Sequence, residues 1–299
     1  AAGNSESIGD PMQIVTDRGA DLLPEVAEEF GIHFTPLKVT LDNRTYASGV
    51  DIMPDEFYKL LADTDDMPIT SQPSVGEFVE LYKRLAQTDP EILSIHISSG
   101  LSGTINSARA AAAMVPEAHV TLFDTRTLSC PQGWQVEAAA RALRAGWSLE
   151  RVLDYLSEMR LQSDGIFTVA TMKYLIHGGR ISHIKGLVAS LLNIKPIIGV
   201  EKENGTYVQL GQEITLKRAI FHEADLLIKR FGAGTKLRVQ LLHANNLAGT
   251  EWLREKLLQL FEVEWLPTVS ITPALGAHVG TGLVGMAVGP AAFFSQLTA

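Results

Sequence analysis

Short β-branched apolar runs alternate with amphipathic segments along the first half of the chain. The run Ile92–Ile97 is typical of a buried strand, whereas Val75–Gln87 repeats apolar residues at helical spacing. The pattern predicts strands at Met12–Val15, Phe34–Leu41, Ile92–Ile97 and Val120–Phe123, and helices at Asp21–Phe30, Pro54–Ala62, Val75–Gln87, Ser102–Met114, Gln132–Arg144 and Leu149–Gln162. This alternation of strands and helices predicts a parallel sheet that is covered on both faces.

After Asp164-Gly165 the pattern changes to strands with mixed connections. Strands are predicted at Ile166–Ala170, Pro196–Val200, Tyr207–Leu210, Leu237–Leu242, Val263–Ile271 and Leu283–Val288, and helices at Leu187–Leu192, Leu216–Phe231 and Thr250–Phe261. The stretch Glu203-Asn204-Gly205-Thr206 is a hairpin-type turn signal. We therefore predict an α/β protein with an N-terminal parallel-sheet α/β/α domain at residues 12–164 and a C-terminal mixed α/β domain at residues 165–299. Residues 1–11 are predicted to be disordered.

Composition narrows the class of protein. A chain of 299 residues is long enough for two domains, and its net charge of −9 argues against nucleic acid as a partner. Cys130 is the only cysteine, so no intramolecular disulfide and no thiolate-rich metal site can form. The first residues lack the pattern of a signal peptide. These features together predict a cytoplasmic protein.

Two stretches rich in hydroxyl groups are candidates for an anion site. Ser74 and Glu77 have capping-box spacing, so Thr70 and Ser71 are spare hydroxyls in a loop beside a predicted helix N-terminus. The second stretch, residues 98–104, follows the predicted strand Ile92–Ile97, where ligands of open α/β sheets bind. It offers Ser98, Ser99 and the small Gly100, and we expect the two stretches to share one site.

Two further residues are candidates because of the chemistry of their surroundings. His278 is the only ionisable side chain between Trp265 and Ala299, and it lies between two glycines in a predicted loop. A lone histidine is most often a core residue, but this one could donate a hydrogen bond to a carboxylate. Arg180 follows two glycines and could either be a surface charge or hold an anion.

Enzyme motifs are weak in this sequence. Ser102 is not in a G-x-S-x-G elbow, and Gly280–Gly285 matches G-x-G-x-x-G without a following acidic residue or room for a βαβ unit. No histidine has the spacing of a zinc protease, and no catalytic constellation is visible. We therefore predict no catalytic residues, no metal and no cofactor.

Taken together, these stretches resemble the DegV family of bacterial fatty-acid-binding proteins over nearly the whole chain from about Gln13. The matching motifs are Thr16-Asp17, Thr70-Ser71-Gln72-Pro73-Ser74, Ser98-Ser99-Gly100-Leu101-Ser102-Gly103-Thr104, Gly178-Gly179-Arg180-Ile181, Leu191-Leu192-Asn193-Ile194-Lys195-Pro196 and His278-Val279-Gly280. The chain departs from the family pattern at Arg18-Gly19, where Ser-Thr is common, and at Thr281, where proline is common.

The resemblance implies a specific function. An acyl chain would be buried between the two domains, and its carboxylate would meet Thr70 or Ser71 and Ser98 or Ser99. Members of the family can be the lipid-binding subunit of a fatty acid kinase, which presents the carboxylate to a separate ATP-binding subunit. The acyl phosphate then feeds phospholipid synthesis. Transient membrane contact would fit lipid exchange, and Lys173, Arg180 and Lys185 are the candidate docking patch.

Two other functions stay open at this stage. The chain could be a stand-alone α/β hydrolase or transferase that uses His278 and a serine on a small acyl or phosphorylated substrate. It could also be a regulatory or scaffold module that uses the cleft for protein contacts.

Overall fold

The computed structural model describes residues 12–189 and 193–297. Its strands are β1 (Gln13–Asp17), β2 (His33–Thr35), β3 (Lys38–Leu41), β4 (Arg44–Ala47), β5 (Ile69–Ser71), β6 (Glu91–His96), β7 (His119–Asp124), β8 (Asp164–Thr168), β9 (Lys195–Val200), β10 (Tyr207–Glu213), β11 (Lys236–His243), β12 (Glu262–Ser270) and β13 (Val284–Pro290).

The helices within the described ranges are α1 (Pro24–Glu29), α2 (Pro54–Ala62), α3 (Val75–Ala86), α4 (Thr104–Met114), α5 (Ser129–Arg144), α6 (Leu149–Gln162), α7 (Lys173–Gly178), α8 (Lys185–Ala189), α9 (Leu216–Phe231), α10 (Leu247–Leu260), α11 (Pro273–Val279) and α12 (Ala291–Phe294), followed by a 3-10 turn at Ser295–Leu297. None of these helices is both long enough and apolar enough to cross a membrane.

Three sheets organise the chain. Strands β2-β1-β6-β7 form a parallel sheet, and β4-β3-β5 form a small antiparallel sheet beside it. Strands β10-β9-β8-β13-β11-β12 form a six-stranded sheet in which only β11 and β12 are parallel. This architecture confirms the predicted α/β class, with an N-terminal parallel sheet and a C-terminal mixed sheet.

Helix α5 joins the two halves of the molecule. Most of its side chains are buried, as expected of a helix that is covered all round. It contacts β1 of the parallel sheet as well as β8 and β13 of the six-stranded sheet. Every strand from β8 onwards belongs to the six-stranded sheet, so we call the parts before and after Gln162 the N-terminal and C-terminal lobes. The predicted division into domains at residue 164 stays a prediction.

Several predicted elements need correction. The single strand predicted at Phe34–Leu41 is two strands in different sheets, because Pro36 lacks the N–H that a continuous ladder requires. The predicted helix Asp21–Phe30 begins only at Pro24, which occupies its first turn. In the predicted helix Leu187–Leu192 the structure describes α8 up to Ala189, and Leu191 and Leu192 lie outside the described residues, as do residues 1–11.

Candidate functional site

A cavity of about 340 Å³ lies where the two lobes meet. Its walls come from β5, the loop between β6 and α4, the segment after α7, the start of β10, and α11. The residues that line it are Leu37, Thr70, Ser71, Gln72, Ile97, Leu101, Ser102, Leu128, Arg180, Tyr207, Ala274, Leu275 and His278. The cavity therefore combines a cluster of hydroxyl groups with an apolar wall.

Thr70 and Ser71 both line this cavity, but they do not lie in a loop. They belong to β5, where Thr70 pairs with Val39 and Ser71 pairs with Lys38 of β3. The capping box that starts α3 is present, because Ser74 accepts from the Glu77 N–H and the Glu77 carboxylate accepts from the Ser74 N–H. Strand pairing on one side and the helix cap on the other fix the backbone that carries the two hydroxyls.

The neighbouring Gln72 is a cavity residue that the sequence did not single out. Its side-chain amide donates to Ser107 Oγ at 3.0 Å, which ties β5 to α4. A Cβ at Gly103 would lie 2.3 Å from the Gln72 amide oxygen. Glycine at position 103 is therefore needed for this close approach.

His278 lies in the last turn of α11, so its predicted location in a loop is wrong. Pro273 occupies the first turn of this helix, which favours a helix start at that position. His278 Nε2 is 2.6 Å from Thr70 Oγ1, which joins the C-terminal lobe to the hydroxyl cluster. Burial, followed by the positive charges of Arg180 and His177, lowers the pKa of His278 to about 3. The imidazole is therefore neutral at physiological pH.

The surroundings of the second ring nitrogen favour one tautomer. His278 Nδ1 is buried and has no hydrogen-bond partner among the described residues. Buried N–H groups without an acceptor are rarer than buried acceptors without a donor. We therefore assign the proton to Nε2, which donates to Thr70 Oγ1. The Thr70 hydroxyl then keeps its own proton for a ligand in the cavity.

Arg180 lies at the mouth of the cavity and spans the two lobes. Its Nη1 donates to the Gly178 carbonyl at 2.6 Å, and its Nε donates to the Leu101 carbonyl at 3.4 Å. The side chain is exposed, as is that of Ser71, whereas Thr70 and Ser102 are half-buried. The guanidinium is thus held by backbone carbonyls and is free of any carboxylate among the described residues.

Ser98, Ser99 and Gly100 are not among the residues that line the cavity. Ser98 is buried, and its hydroxyl donates to the Gly205 carbonyl at 2.7 Å. The Ser99 side chain is exposed, and the Ser99 backbone N–H donates to the Asp124 carboxylate. A Cβ at Gly100 would lie 2.4 Å from the Asn204 carbonyl oxygen. This stretch holds the β9–β10 turn against the N-terminal lobe, and the same loop contributes Ser102 to the cavity instead.

An apolar pocket continues inward from the cavity. It has a volume of about 40 Å³ and shares Leu128, Tyr207 and Leu275 with the cavity. Its remaining lining is almost entirely apolar: Ser129, Pro131, Gly165, Ile166, Phe167, Val200, Leu242, Ile271, Val279, Leu283 and Met286. The three shared residues form a neck between a polar outer part and an apolar inner part.

Tyr207 is the second cavity residue that sequence reasoning missed. Its ring packs edge-on against Phe167, with 5.6 Å between centroids, and its hydroxyl has no hydrogen-bond partner among the described residues. Burial raises the pKa of the phenol, so the hydroxyl stays protonated and available as a donor. Only its position directly after the predicted turn at residues 203–206 could have drawn attention to it.

A chain of side chains that looks catalytic is fully buried elsewhere. His96 Nδ1 is 2.9 Å from Asp17 Oδ2, and Ser94 Oγ is 2.6 Å from His96 Nε2. All three residues are 0% exposed, and Ser94 also bonds the Tyr82 hydroxyl. Asp17 accepts from the Ile97 N–H as well, which joins the ends of β1 and β6. Because no substrate can reach Ser94, the arrangement supports the fold and does not form a hydrolase site.

Comparison with known proteins identifies the family of this chain. The family model described as an uncharacterised protein of the DegV family matches residues 11–291. The chain belongs to the DegV family. This DegV protein is 34% identical over 274 residues to a DegV domain-containing protein of Halalkalibacterium halodurans, a match that covers 91% of this chain and 96% of the relative.

Solved structures show the same fold. A DegV family protein from Thermus thermophilus, described by its fatty acid binding, superposes with a TM-score of 0.85 at 29% identity and covers 94% of this chain and 100% of that chain. DegV of Bacillus subtilis, described as a fatty acid binding protein, gives a TM-score of 0.83 at 31% identity with 94% and 99% coverage.

Proposed function

We propose that this DegV protein binds one long-chain fatty acid, with the carboxylate in the outer cavity and the acyl chain directed through the neck into the apolar pocket. The observation that carries the proposal is the cavity itself, in which clustered hydroxyl donors face an apolar neck between the lobes. A ligand with one polar end and one long apolar end matches this division. The two structural relatives from Thermus thermophilus and Bacillus subtilis are both named for fatty acid binding, which supports the same ligand class.

The polar end of the ligand is held by neutral donors. Thr70, Ser71 and Ser102 offer hydroxyls, and His278 is neutral and orients the Thr70 hydroxyl. Arg180 stands at the mouth, where it contacts the head group from the solvent side. Neutral donors satisfy a carboxylate and still leave one oxygen nucleophilic, whereas a buried ion pair would hold that oxygen more strongly.

The apolar end supplies most of the affinity. At about 0.8 kcal/mol per buried methylene, a chain of roughly fourteen methylenes contributes about 11 kcal/mol before the costs of association. Those costs are at least about 4 kcal/mol. The inner pocket of about 40 Å³ is only slightly larger than a water molecule, so the side chains that line it must move apart around the ligand. Met286, which is unbranched and flexible, is suited to that change.

The same geometry supports a carrier that presents its ligand. The carboxylate lies at the mouth, so we propose that a separate ATP-binding kinase subunit reaches it there and forms an acyl phosphate. In this proposal the protein is a cytoplasmic substrate-presenting subunit and not a self-sufficient enzyme. The exposed Lys173 and Lys185 lie on α7 and α8, beside Arg180 in sequence, and are suited to transient contact with an anionic membrane.

Mass spectrometry of lipid extracted from the purified protein tests the ligand class. We expect about one tightly held equivalent of a long-chain fatty acid as purified, or uptake of at least one equivalent after delipidation and addition of palmitate. A protein that carries no acyl lipid and takes up none would refute the proposal. Turnover of activated esters without a second protein would instead favour the hydrolase alternative.

Paired substitutions test the head-group site. The double variant Thr70→Ala, Ser71→Ala removes two donors to the carboxylate, each worth about 1.5–3 kcal/mol when the acceptor is charged. We expect palmitate affinity to fall roughly 100- to 10,000-fold, because the two donors together account for about 3–6 kcal/mol and each 1.4 kcal/mol corresponds to a factor of ten. Ser99→Ala is the matched control, since this exposed hydroxyl lies outside the cavity. Equal affinities of the double variant and the control would contradict the assignment.

The presenting role needs its own assay. Palmitate-loaded protein is mixed with ATP and the ATP-binding subunit of a bacterial fatty acid kinase, and acyl phosphate is trapped with hydroxylamine. We expect product only when all three components are present. Arg180→Ala should lower the product yield more than it lowers palmitate affinity, since Arg180 lies at the mouth. Tight palmitate binding without any acyl phosphate would limit the function to lipid binding.

A further inference from the structure

A second groove lies on the C-terminal lobe, on the side of the six-stranded sheet that α9 covers. Its volume is about 620 Å³, which is within the range of small-molecule sites. The residues that line it are Asp164, Gly165, Ile166, Gly199, Val200, Glu201, Lys202, Val208, Leu210, Leu226, Lys229 and Arg230. None of the head-group residues is among them, so the groove is separate from the outer cavity.

The floor of the groove is apolar and partly open to solvent. Leu210 is 40% exposed, and Val208, Val200 and Leu226 are half-buried. A Cβ at Gly199 would lie 2.9 Å from Leu210 Cδ1, so glycine there lets the leucine side chain lie flat over the strand. Four aliphatic side chains that border one open groove favour a ligand with an apolar part.

The rim of the groove carries an excess of positive charge. Lys202 and Arg230 share one carboxylate, that of Asp164, at 2.9 Å each. The Glu201 carboxylate accepts hydrogen bonds from backbone N–H groups of its own turn and forms no ion pair with the basic residues of the rim that the structure describes. Lys229 forms no ion pair or hydrogen bond with any residue in the described part of the chain. An anionic group is therefore the complement of this rim.

The groove and the inner pocket share a wall. Gly165, Ile166 and Val200 border both, so only the strands β8 and β9 separate the two spaces. An acyl chain that widens the inner pocket presses on the wall from one side, and an occupant of the groove contacts it from the other. Two ligands that contact one wall can change each other's affinity, and the effect is then reciprocal.

We propose that this groove is a second binding site for a long-chain acyl anion, with its carboxylate at Lys229 and its chain along Leu210, Val208 and Leu226. The site goes beyond the single-ligand function proposed above and rests on different residues. Its occupancy is coupled through the shared wall to that of the inner pocket. A protein with both sites binds two acyl anions, one enclosed and one at the surface.

The test is a titration of the delipidated protein with carboxyl-¹³C myristate below its critical micelle concentration. Native mass spectrometry counts the bound equivalents, and the ¹³C resonances separate the two carboxylates. The test variant is Lys229→Glu, Leu210→Gln. The control variant is Lys59→Glu, Leu258→Gln, which makes the same exchanges at exposed positions outside the groove. We expect two equivalents for the unmodified protein and the control, and at least a tenfold loss of affinity for one equivalent in the test variant.

The outcomes separate this proposal from the one above. Loss of the tight equivalent in Thr70→Ala, Ser71→Ala with retention of the other supports both sites. If the unmodified protein binds myristate in the groove but not in the outer cavity, the function proposed above is refuted and the second site is not. One equivalent in the unmodified protein, or equal uptake of the uncharged methyl myristate at the groove, would overturn the second site.

Discussion

Replacing Asp21 by asparagine should change how the stability of the protein depends on pH. Asp21 is buried where the loop after β1 meets α5 and the start of α11. Its Oδ2 accepts from Ser129 Oγ at 2.7 Å, and its Oδ1 accepts from the Thr272 N–H at 2.9 Å. Burial outweighs these two hydrogen bonds and raises the pKa of the carboxyl from 3.8 to about 7. The nearby Tyr58 and Cys130 have raised pKa values too, so they stay neutral.

The sign follows from which state holds the proton more tightly. Below about pH 4 both folded and unfolded chains carry a protonated Asp21, and its titration has no effect on stability. Between about pH 4 and 7 the unfolded chain releases the proton while the folded chain keeps it, so this group makes the folded state less stable as the pH rises. The difference of about 3 pKa units corresponds to about 4 kcal/mol of lost stability above pH 7.

Asparagine is neutral at every pH and can keep both contacts, with Oδ1 accepting from the Thr272 N–H and Nδ2 donating to Ser129. Asp21→Asn should therefore match the unmodified protein near pH 4 and exceed its stability by up to about 4 kcal/mol at pH 8. Urea unfolding followed by tryptophan fluorescence between pH 4 and 8 measures the difference. Asp65→Asn, at an exposed position, is the control. If the curves of Asp21→Asn and the unmodified protein run parallel, the carboxyl is already ionised in the fold and the reasoning fails.

Three smaller predictions concern contacts around the cavity. Gly100→Ala places a Cβ against the backbone of Gly205, and we expect a loss of about 1–3 kcal/mol in unfolding free energy, measured by urea denaturation, with an unchanged value counting against the contact. Gly178→Ala places a Cβ 2.5 Å from His278 Nδ1 and should displace the imidazole from the Thr70 hydroxyl. Palmitate affinity, measured by calorimetry, should therefore fall while the fold persists, and an unchanged affinity would show that the imidazole is not needed. Tyr207→Phe removes one donor to the charged head group, worth about 1.5–3 kcal/mol, and should weaken palmitate binding roughly 10- to 100-fold. No change would place the hydroxyl away from the head group.

The chain alone determined the regular elements and the local signals that begin them. Leu149–Gln162 and Leu216–Phe231 are helices as predicted, because their apolar residues recur at helical spacing and Ser148 and Thr215 cap them. The capping box at Ser74 and the hairpin turn at residues 203–206 are likewise local, and the structure confirms both. The family resemblance, based on short motifs in order, is confirmed by the match over residues 11–291.

Only the tertiary structure decided which polar groups face the cavity. In the sequence Ser98 and Thr70 are equivalent candidates, since both are hydroxyl residues near a strand or a helix start. In the structure the Ser98 hydroxyl donates to the Gly205 carbonyl in the β9–β10 turn and does not face the cavity. Thr70 instead meets His278, which lies 208 residues away in the chain. Tyr207 reaches the cavity because that same turn is docked on the N-terminal lobe. Spacing along a chain fixes which residues share a helix or strand, whereas the partner of a side chain from a distant segment depends on how the lobes pack.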